Sequence, residues 1–354
     1  CQINCQGTDN FKINLWQIIT FQTKQSVSSI STMFPTIIYY LVPTLVILIS
    51  VRKYRESKWG KCKNKVKLTD KIAIVTGANS GIGYEISKEL CRRGALVIMA
   101  CRNKQSALIA IHEIEKELNA KNLLFMELDL TSLNSIKTFA TNFKTKFNKI
   151  DILVNNAGVS FDDASREVTK DGIEIHFGVN HLGHFLLTNL LLDRFQSGSR
   201  IVIISSLLHQ KGQINFDNLN LEKPNDAKNL YANSKLANMY FCKELAKRTH
   251  DKGITVYAVC PGWVLTNLFR HHTRRMLKYF IFVIPAAFLF MRSAKQGAQT
   301  PIFCATDPSV ENESGYFYRD CKKFTSKIQM CDTVSHKLWT TSVKMIESKG
   351  ITLK

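Results

Sequence analysis

Six short apolar runs recur along the chain: IAIV, ALVIMA, LLFMELDL, IDILVNN, RIVIISS and ITVYAVC. Between them lie longer segments whose apolar residues return every three or four positions, such as SALIAIHEIEKELNA and SLNSIKTFATNFKTKF. Short strands are therefore predicted to alternate with amphipathic helices, and that alternation predicts a parallel sheet covered by helices on both faces. The pattern starts near Lys67 and runs without an internal repeat or low-complexity break. It predicts one α/β domain over 67–354.

Two further apolar blocks do not fit the strand-helix pattern. Met33 to Val51 reads MFPTIIYYLVPTLVILISV, with no charged residue. As a helix this run would cover roughly 28 Å, close to the hydrocarbon thickness of a bilayer, and it is expected to be a membrane anchor. A cleaved signal peptide is the competing reading, but the usual basic leader and small-residue cleavage site are not evident. The second block, YFIFVIPAAFLFM at 279–291, is short for a span and holds Pro285. It is expected to belong to an apolar substrate lobe around 267–293 that also touches the bilayer. Residues 1–32 carry neither a helical stripe nor a strand alternation. Met33 is expected to be the true start, with the preceding stretch not translated.

Charge sharpens this picture. The chain has 48 Lys+Arg against 28 Asp+Glu, a net charge of +20. The excess gathers beside the apolar blocks, in RKYRESKWGKCKNKVK and HHTRRMLK, which suits an anionic membrane surface better than a nucleic-acid groove. A basic juxtamembrane linker is expected over 52–66, and its position after the apolar run places everything beyond Val51 on the cytosolic side. No nucleic-acid recognition motif accompanies the charge, so no nucleic-acid partner is expected. The ten cysteines show no CxxC pairs or zinc-type spacing. They are expected to be reduced thiols, with no metal site.

After IAIV comes TGANSGIG, Thr76-Gly77-Ala78-Asn79-Ser80-Gly81-Ile82-Gly83. A strand that turns sharply into a helix needs backbone angles and close approaches that a Cβ blocks. The helix then offers free amides and a positive dipole end to a pyrophosphate. At the end of the second strand an acidic residue would hold a ribose 2′-hydroxyl, but the chain reads MACRNK. Arg102 can instead form a fork with a 2′-phosphate, so NADP(H) is the expected cofactor.

Downstream stand NNAG at 155–158, YANSK at 231–235 and PGWVLT at 261–266. With the glycine loop and in this order they resemble the short-chain dehydrogenase/reductase family over about 67–346. The resemblance implies a Rossmann-type doubly wound parallel sheet. It implies that Tyr231 gives or takes the proton at the substrate oxygen, and that Lys235 lowers the tyrosine pKa and binds the nicotinamide ribose. Four residues apart on a helix, the two share a face. Bringing a phenol from about pH 10 to neutrality takes ~4 kcal/mol of differential interaction, for which an ammonium is suited. Ser206 matches the family's catalytic serine, polarising the substrate carbonyl as an oxyanion donor would, and Ser205 is the alternative one residue away. Asn180 matches the fourth member, holding a water that links the lysine to solvent, and a helix-stabilising role can coexist with that.

By the same resemblance, cofactor contacts fall on Thr76, Gly77, Asn79, Ser80, Gly81, Ile82, Gly83, Arg102, Asp129, Leu130, Asn156, Ala157, Gly158, Tyr231, Lys235, Pro261, Gly262 and Thr266. Asp129 would meet the adenine, Asn156 and Gly158 its ribose, and the proline-glycine turn with Thr266 the carboxamide. Asn156 also reads as a tie between neighbouring strands. His209, His271 and His272 read as loop or interfacial residues.

Within the family, ACRN, VNHLGHFLLTNLLL, RIVIISSLLH, SKLANMYFCKELAKR and SGYFYRDC resemble the membrane-bound, NADP(H)-preferring retinol dehydrogenases. That resemblance implies a single-pass protein of the endoplasmic reticulum that interconverts lipophilic alcohols with aldehydes or ketones, retinol and retinal foremost. A steroid or other lipid carbonyl reductase is the alternative, and a cofactor-binding sensor without turnover is the alternative of another class. A homodimer is left open.

Overall fold

The computed structural model describes residues 39–162, 167–223, 228–264 and 287–353, with the single residue 20. The chain falls into two compact units, Cys1–Ser57 and Lys58–Lys354. In the first, the described residues from 39 onward are helical, and the helix continues to 58, the first residue of the second unit (α1). Tyr39, Tyr40, Leu41, Val42, Leu45, Val46, Ile47 and Ile49 are all exposed on it. Its second half is polar, with an Arg52–Glu56 ion pair at 2.7 Å. Among the described residues no helix is long and apolar enough to cross a membrane. The expected span at 33–51 is thus not shown. Its first six residues, 33–38, lie outside the described ones, and the helix that holds the rest runs on into charge instead of ending at Val51.

The second unit is built on an eight-stranded sheet. Its strands are β1 (Ile72–Thr76), β2 (Leu96–Cys101), β3 (Leu123–Glu127), β4 (Ile150–Asn155), β5 (Phe195–Ile204), β6 (Thr255–Cys260), β7 (Tyr316–Arg319) and β8 (Lys322–Lys323). The order across the sheet is β3-β2-β1-β4-β5-β6-β7-β8. The first seven run parallel, while β8 turns back antiparallel on β7. All six predicted runs became strands, and the parallel doubly wound sheet is as expected.

The helices follow from local chemistry. α2 (Gly81–Arg92) starts at the glycine loop. α3 (Lys104–Leu118) is capped by Asn103, whose side chain accepts the Ser106 amide. α4 (Leu133–Lys146) is capped in the same way by Ser132. Such caps each contribute about 1 kcal/mol. A π-helical stretch at Phe177–Leu182 leads into α5 (Gly183–Leu190). α6 (Leu230–Thr249) is followed, beyond β6, by α7 (Gln299–Thr306) and α8 (Asp332–Glu347). One core packs α4, α5, α6 and α8 on one face of the sheet, and a second packs α2, α3 and α7 on the other. The expected linker is not free where it meets the domain. Asn64 donates to Asp307 at 2.8 Å, and the Cys62 amide to Gln299 at 3.1 Å.

The strand order reverses between β2-β1 and β4-β5. Loops at the carboxyl edge diverge there and leave a crevice, the usual ligand position in such sheets. The glycine loop follows β1, NNAG ends β4, Ser205 and Ser206 follow β5, and Pro261 and Gly262 follow β6.

Candidate active site

The glycine loop is tightly built. Gly77 and Gly81 adopt φ of +64° and +58°, where a side chain would be strained. A Cβ on Gly83 would lie 2.4 Å from the Gly77 carbonyl oxygen and 2.5 Å from Asn156 Nδ2. Ser80 precedes α2 in extended conformation, and its side chain makes no cap hydrogen bond. The first-turn amides are therefore not consumed by the cap residue, and the cradle fits the pyrophosphate of a dinucleotide. Gly83→Val should weaken binding of a nicotinamide dinucleotide by about 5- to 150-fold, the equivalent of ~1–3 kcal/mol of overpacking. Titration of NADPH fluorescence checks this, and unchanged affinity would remove the loop from the site.

Beside the loop, the Thr76 hydroxyl is fully used. It accepts the amides of Asn156 and Ala157, each at 2.9 Å, and faces His184 Nε2 at 2.9 Å. His184 Nδ1 lies 3.2 Å from the Asn180 carbonyl, which can only accept. The tautomer follows: Nδ1 carries the hydrogen, and Nε2 accepts from Thr76. Burial pulls the His184 pKa down to about 3, with the Asn180 carbonyl opposing and the Lys235 charge assisting. The ring is neutral and ties the glycine loop to Asn180. Nothing in the sequence reading singled out His184. Asn156 Nδ2 also donates to the Thr76 carbonyl at 2.8 Å, so its strand-tying role is real.

Asn180 is buried within the π-helical stretch. Its Oδ1 accepts the Val159 amide at 2.8 Å, and its Nδ2 donates to the Val159 carbonyl at 3.1 Å and to Ser234 Oγ at 3.0 Å. The side chain is thus a brace between NNAG and α6. Gly158 gives it room, since a Cβ there would lie 3.2 Å from Asn180 Oδ1 and 3.6 Å from Lys235 Nζ.

On α6, Lys235 Nζ stands 5.5 Å from the centre of the Tyr231 ring and donates to the Ile204 carbonyl at 3.1 Å. The Ser206 hydroxyl accepts the Leu208 amide at 3.2 Å, and its side chain acts on the Tyr231 phenol, favouring the ionised form. Ser205 is different: it is buried, and its hydroxyl donates to the Lys235 carbonyl at 2.9 Å. The geometry therefore favours Ser206 over Ser205 as the serine that meets a substrate.

In the protein alone the surroundings of the pair weigh on both groups. Burial pushes the Tyr231 pKa up, Cys260 adds to the rise, and the Ser206 side chain opposes it. Burial also pulls Lys235 down to about 8, with Cys260 opposing. Spacing shows which residues meet, but desolvation decides which form they take. Burial thus weighs against the phenolate and against the ammonium alike.

Other groups missed from sequence surround this trio. His176 is buried against the Tyr231 ring, centroids 6.3 Å apart. Its Nδ1 donates to Glu174 Oε1 at 2.6 Å, and its Nε2 accepts the Phe161 amide at 2.9 Å. Glu174 also accepts the amides of His176 and Phe177 at 2.8 and 2.7 Å, capping the turn that enters the π-helical stretch. His209 lies in the turn after β5, in keeping with a loop residue. It is buried, and its Nδ1 donates to the Ser206 carbonyl at 2.5 Å while Nε2 faces Ser326 Oγ at 2.7 Å. Cys260 is buried at the end of β6, and burial pushes its thiol pKa up, with the neighbouring amides of Gly262 and Leu207 opposing. A histidine or cysteine inside an apolar run gives no sequence signal for such roles.

The remaining candidates divide. Arg102 is exposed at the end of β2. The Asp129 carboxylate is engaged by the protein: Oδ1 accepts the Thr131 amide and hydroxyl at 3.0 and 2.8 Å, and Lys170 Nζ lies 3.0 Å from Oδ2. Burial opposes its ionisation, but these partners outweigh it and hold its pKa below the usual carboxylate range. Leu130 and Ala157 line the same edge of the sheet. Thr266, His271, His272 and most of the 267–293 lobe lie outside the described residues. Among the described residues no group of three or more His, Cys, Asp or Glu could hold a metal ion.

The family model of short chain dehydrogenases matches residues 71–276. Human retinol dehydrogenase 11 is 38% identical over 320 residues, covering 90% of this chain and 98% of that protein. Human retinol dehydrogenase 14 is 41% identical over 293 residues, covering 78% and 86%. Among solved structures, an uncharacterized protein from Mycobacterium paratuberculosis is similar with a TM-score of 0.65 at 28% identity, covering 84% of this chain and 99% of that one. A short chain dehydrogenase from Burkholderia cenocepacia in complex with NADP is similar with a TM-score of 0.54 at 25% identity, covering 71% and 96%. With a glycine cradle at the strand-order reversal, a Ser-Tyr-Lys trio across the crevice and a family match over more than half its length, the chain belongs to the short-chain dehydrogenases.

Proposed function

We propose that the chain is a membrane-anchored, NADP(H)-dependent oxidoreductase that interconverts a lipophilic alcohol with its aldehyde or ketone, retinal and retinol or a related lipid aldehyde. The observation that carries the chemistry is the Tyr231–Lys235 pair on α6, with Nζ 5.5 Å from the ring centre and bonded at 3.1 Å to the Ile204 carbonyl at the strand end that leads into Ser206. The substrate class is supported by the likeness to retinol dehydrogenases.

A nicotinamide cofactor, when bound, supplies or accepts the hydride. The residues that would hold it are the 76–83 loop, Arg102 for a 2′-phosphate, Asn156 to Gly158, Lys235 and the Pro261–Gly262 turn. Ser206 donates a hydrogen bond to the substrate oxygen and polarises its carbon, as a positioned dipole does best in a water-poor site. Tyr231, protonated at rest, gives its proton to that oxygen as charge develops on it. Lys235 Nζ then stabilises the resulting phenolate. In the oxidative direction the same phenol must be deprotonated first.

Anchoring is supported by the apolar side chains exposed on α1 and by the charge-free residues that precede it. Exposed apolar area on that scale marks a surface for lipid or protein. The basic residues after Val51 favour a cytosolic catalytic domain, and the endoplasmic reticulum is the organelle this reading names. Endoglycosidase-sensitive mass on Asn312, in the sequon Asn312-Glu313-Ser314, would invert the orientation.

The test is a kinetic comparison of NADPH and NADH with all-trans-retinal, a steroid ketone and a medium-chain lipid aldehyde on one membrane preparation. We expect kcat/KM for retinal to be at least about tenfold higher with NADPH, the discrimination of roughly 1.4 kcal/mol that one Arg–phosphate fork supplies. Equal use of NADH would overturn the role of Arg102. A steroid ketone turned over faster than retinal would move the substrate class.

A further inference from the structure

A buried arginine closes the far side of the Pro261–Gly262 turn. Arg292 is 4% exposed. Its guanidinium pairs with Asp320 at 2.6 Å, lies over the Trp59 ring with its carbon 4.8 Å from the centroid, and reaches the Pro261 carbonyl at 3.4 Å. Gly262 has φ +88°, and a Cβ there would meet Arg292 Nε, Cζ and Cδ at 2.7, 2.8 and 3.0 Å. The arginine fills the space that the glycine leaves open.

The main chain adds to the same contact. The Arg292 amide donates to the Trp263 carbonyl at 2.7 Å, and Val264 and Arg292 form a parallel bridge. Two stretches far apart in sequence therefore meet at this point. On its opposite side the strand that leads into the turn is registered to the serine loop: the Ser205 amide, next to Ser206, donates to the Val259 carbonyl at 2.8 Å. Asp320 is itself fixed, taking the Gly60 amide at 3.4 Å and facing Arg319 Nε at 3.4 Å.

Burying a guanidinium is costly unless its partners are well placed. Here the partners come from three separate segments, at 59–60, 261–264 and 320. We propose that Arg292 is a positioning residue that sets the Pro261–Gly262 turn against the Ser206 turn, and thereby the seat of the nicotinamide end of the cofactor. It does so without touching the adenine end. The proposal rests on the cofactor reading above and adds a residue that neither the glycine loop nor the Tyr-Lys pair predicts.

The two halves of the cofactor separate this role from general damage. Binding of NADPH and of 2′,5′-ADP, which carries only the adenine end, is measured on the full chain for wild type, Arg292→Met, Arg292→Lys and Asp320→Asn. We expect Arg292→Met to weaken NADPH at least tenfold while 2′,5′-ADP stays within twofold. Arg292→Lys should recover part of the loss, and Asp320→Asn should move NADPH in the same direction if Arg292→Met does not fold. Equal weakening of both ligands, or no change in either, overturns the positioning role. Wild type that fails to bind 2′,5′-ADP overturns the cofactor reading beneath it, and the proposal with it.

Discussion

Tyr231→Phe will lower kcat for carbonyl reduction by about 10²- to 10⁴-fold, the range of a positioned proton donor, while NADPH affinity stays within about twofold. The phenylalanine ring keeps the packing against His176 and the neighbouring Lys235 ammonium, so only the phenolic O–H is removed. Steady-state rates with a fluorescence titration of NADPH test this. A variant that still turns over within tenfold of wild type would remove Tyr231 from proton transfer. The direction of its pKa adds a pH signature. Because burial raises it, reduction needs no prior ionisation near neutrality, whereas oxidation must remove that proton and should accelerate with rising pH.

The second large effect concerns stability in mild acid. Burial lowers His184 to about 3 and His181 to about 4, against an ordinary value near 6.5 in the unfolded chain. Between these values the unfolded state binds protons that the folded state refuses. Stability therefore rises with pH across this window: it is complete above about pH 6.5 and is lost as pH falls toward the folded values. Each histidine contributes a slope of about 1.4 kcal/mol per pH unit well below 6.5. The decline begins above the ordinary range of carboxylates, so it is separable from theirs. Urea unfolding at pH 7, 6 and 5 should show it, with His184→Gln reducing the slope by about half. A midpoint that does not move over this range would mean that one or both rings take up protons in place.

Much of this architecture was legible in the chain. The six apolar runs became strands because parallel strands buried on both faces need continuous apolar residues, and the chain has few other such runs in this region. The glycine loop was legible because Gly77, Gly81 and Gly83 answer steric demands that no other residue meets. The Tyr231–Lys235 pair was legible from helical spacing. His184 and Arg292 were not, since each acts through contacts with residues far away in sequence: Thr76 lies 108 residues from His184, and Pro261 lies 31 from Arg292. The ionisation of Tyr231 was also out of reach, because spacing reports neighbours and not the loss of water around them. The strand β7 escaped the pattern for another reason. SGYFYRDC is short and ends in charge, as suits a position near the sheet margin.

That margin also bears on assembly. β8 offers Lys322 and Lys323, both exposed, along the rim where the hydrogen-bonding ladder stops. Two copies aligned rim to rim would crowd four ammonium groups into one seam, and like charges directly opposed across strands repel. Self-association of this molecule through that rim is accordingly disfavoured, whereas the opposite margin, β3, carries no such lysine pair in its strand.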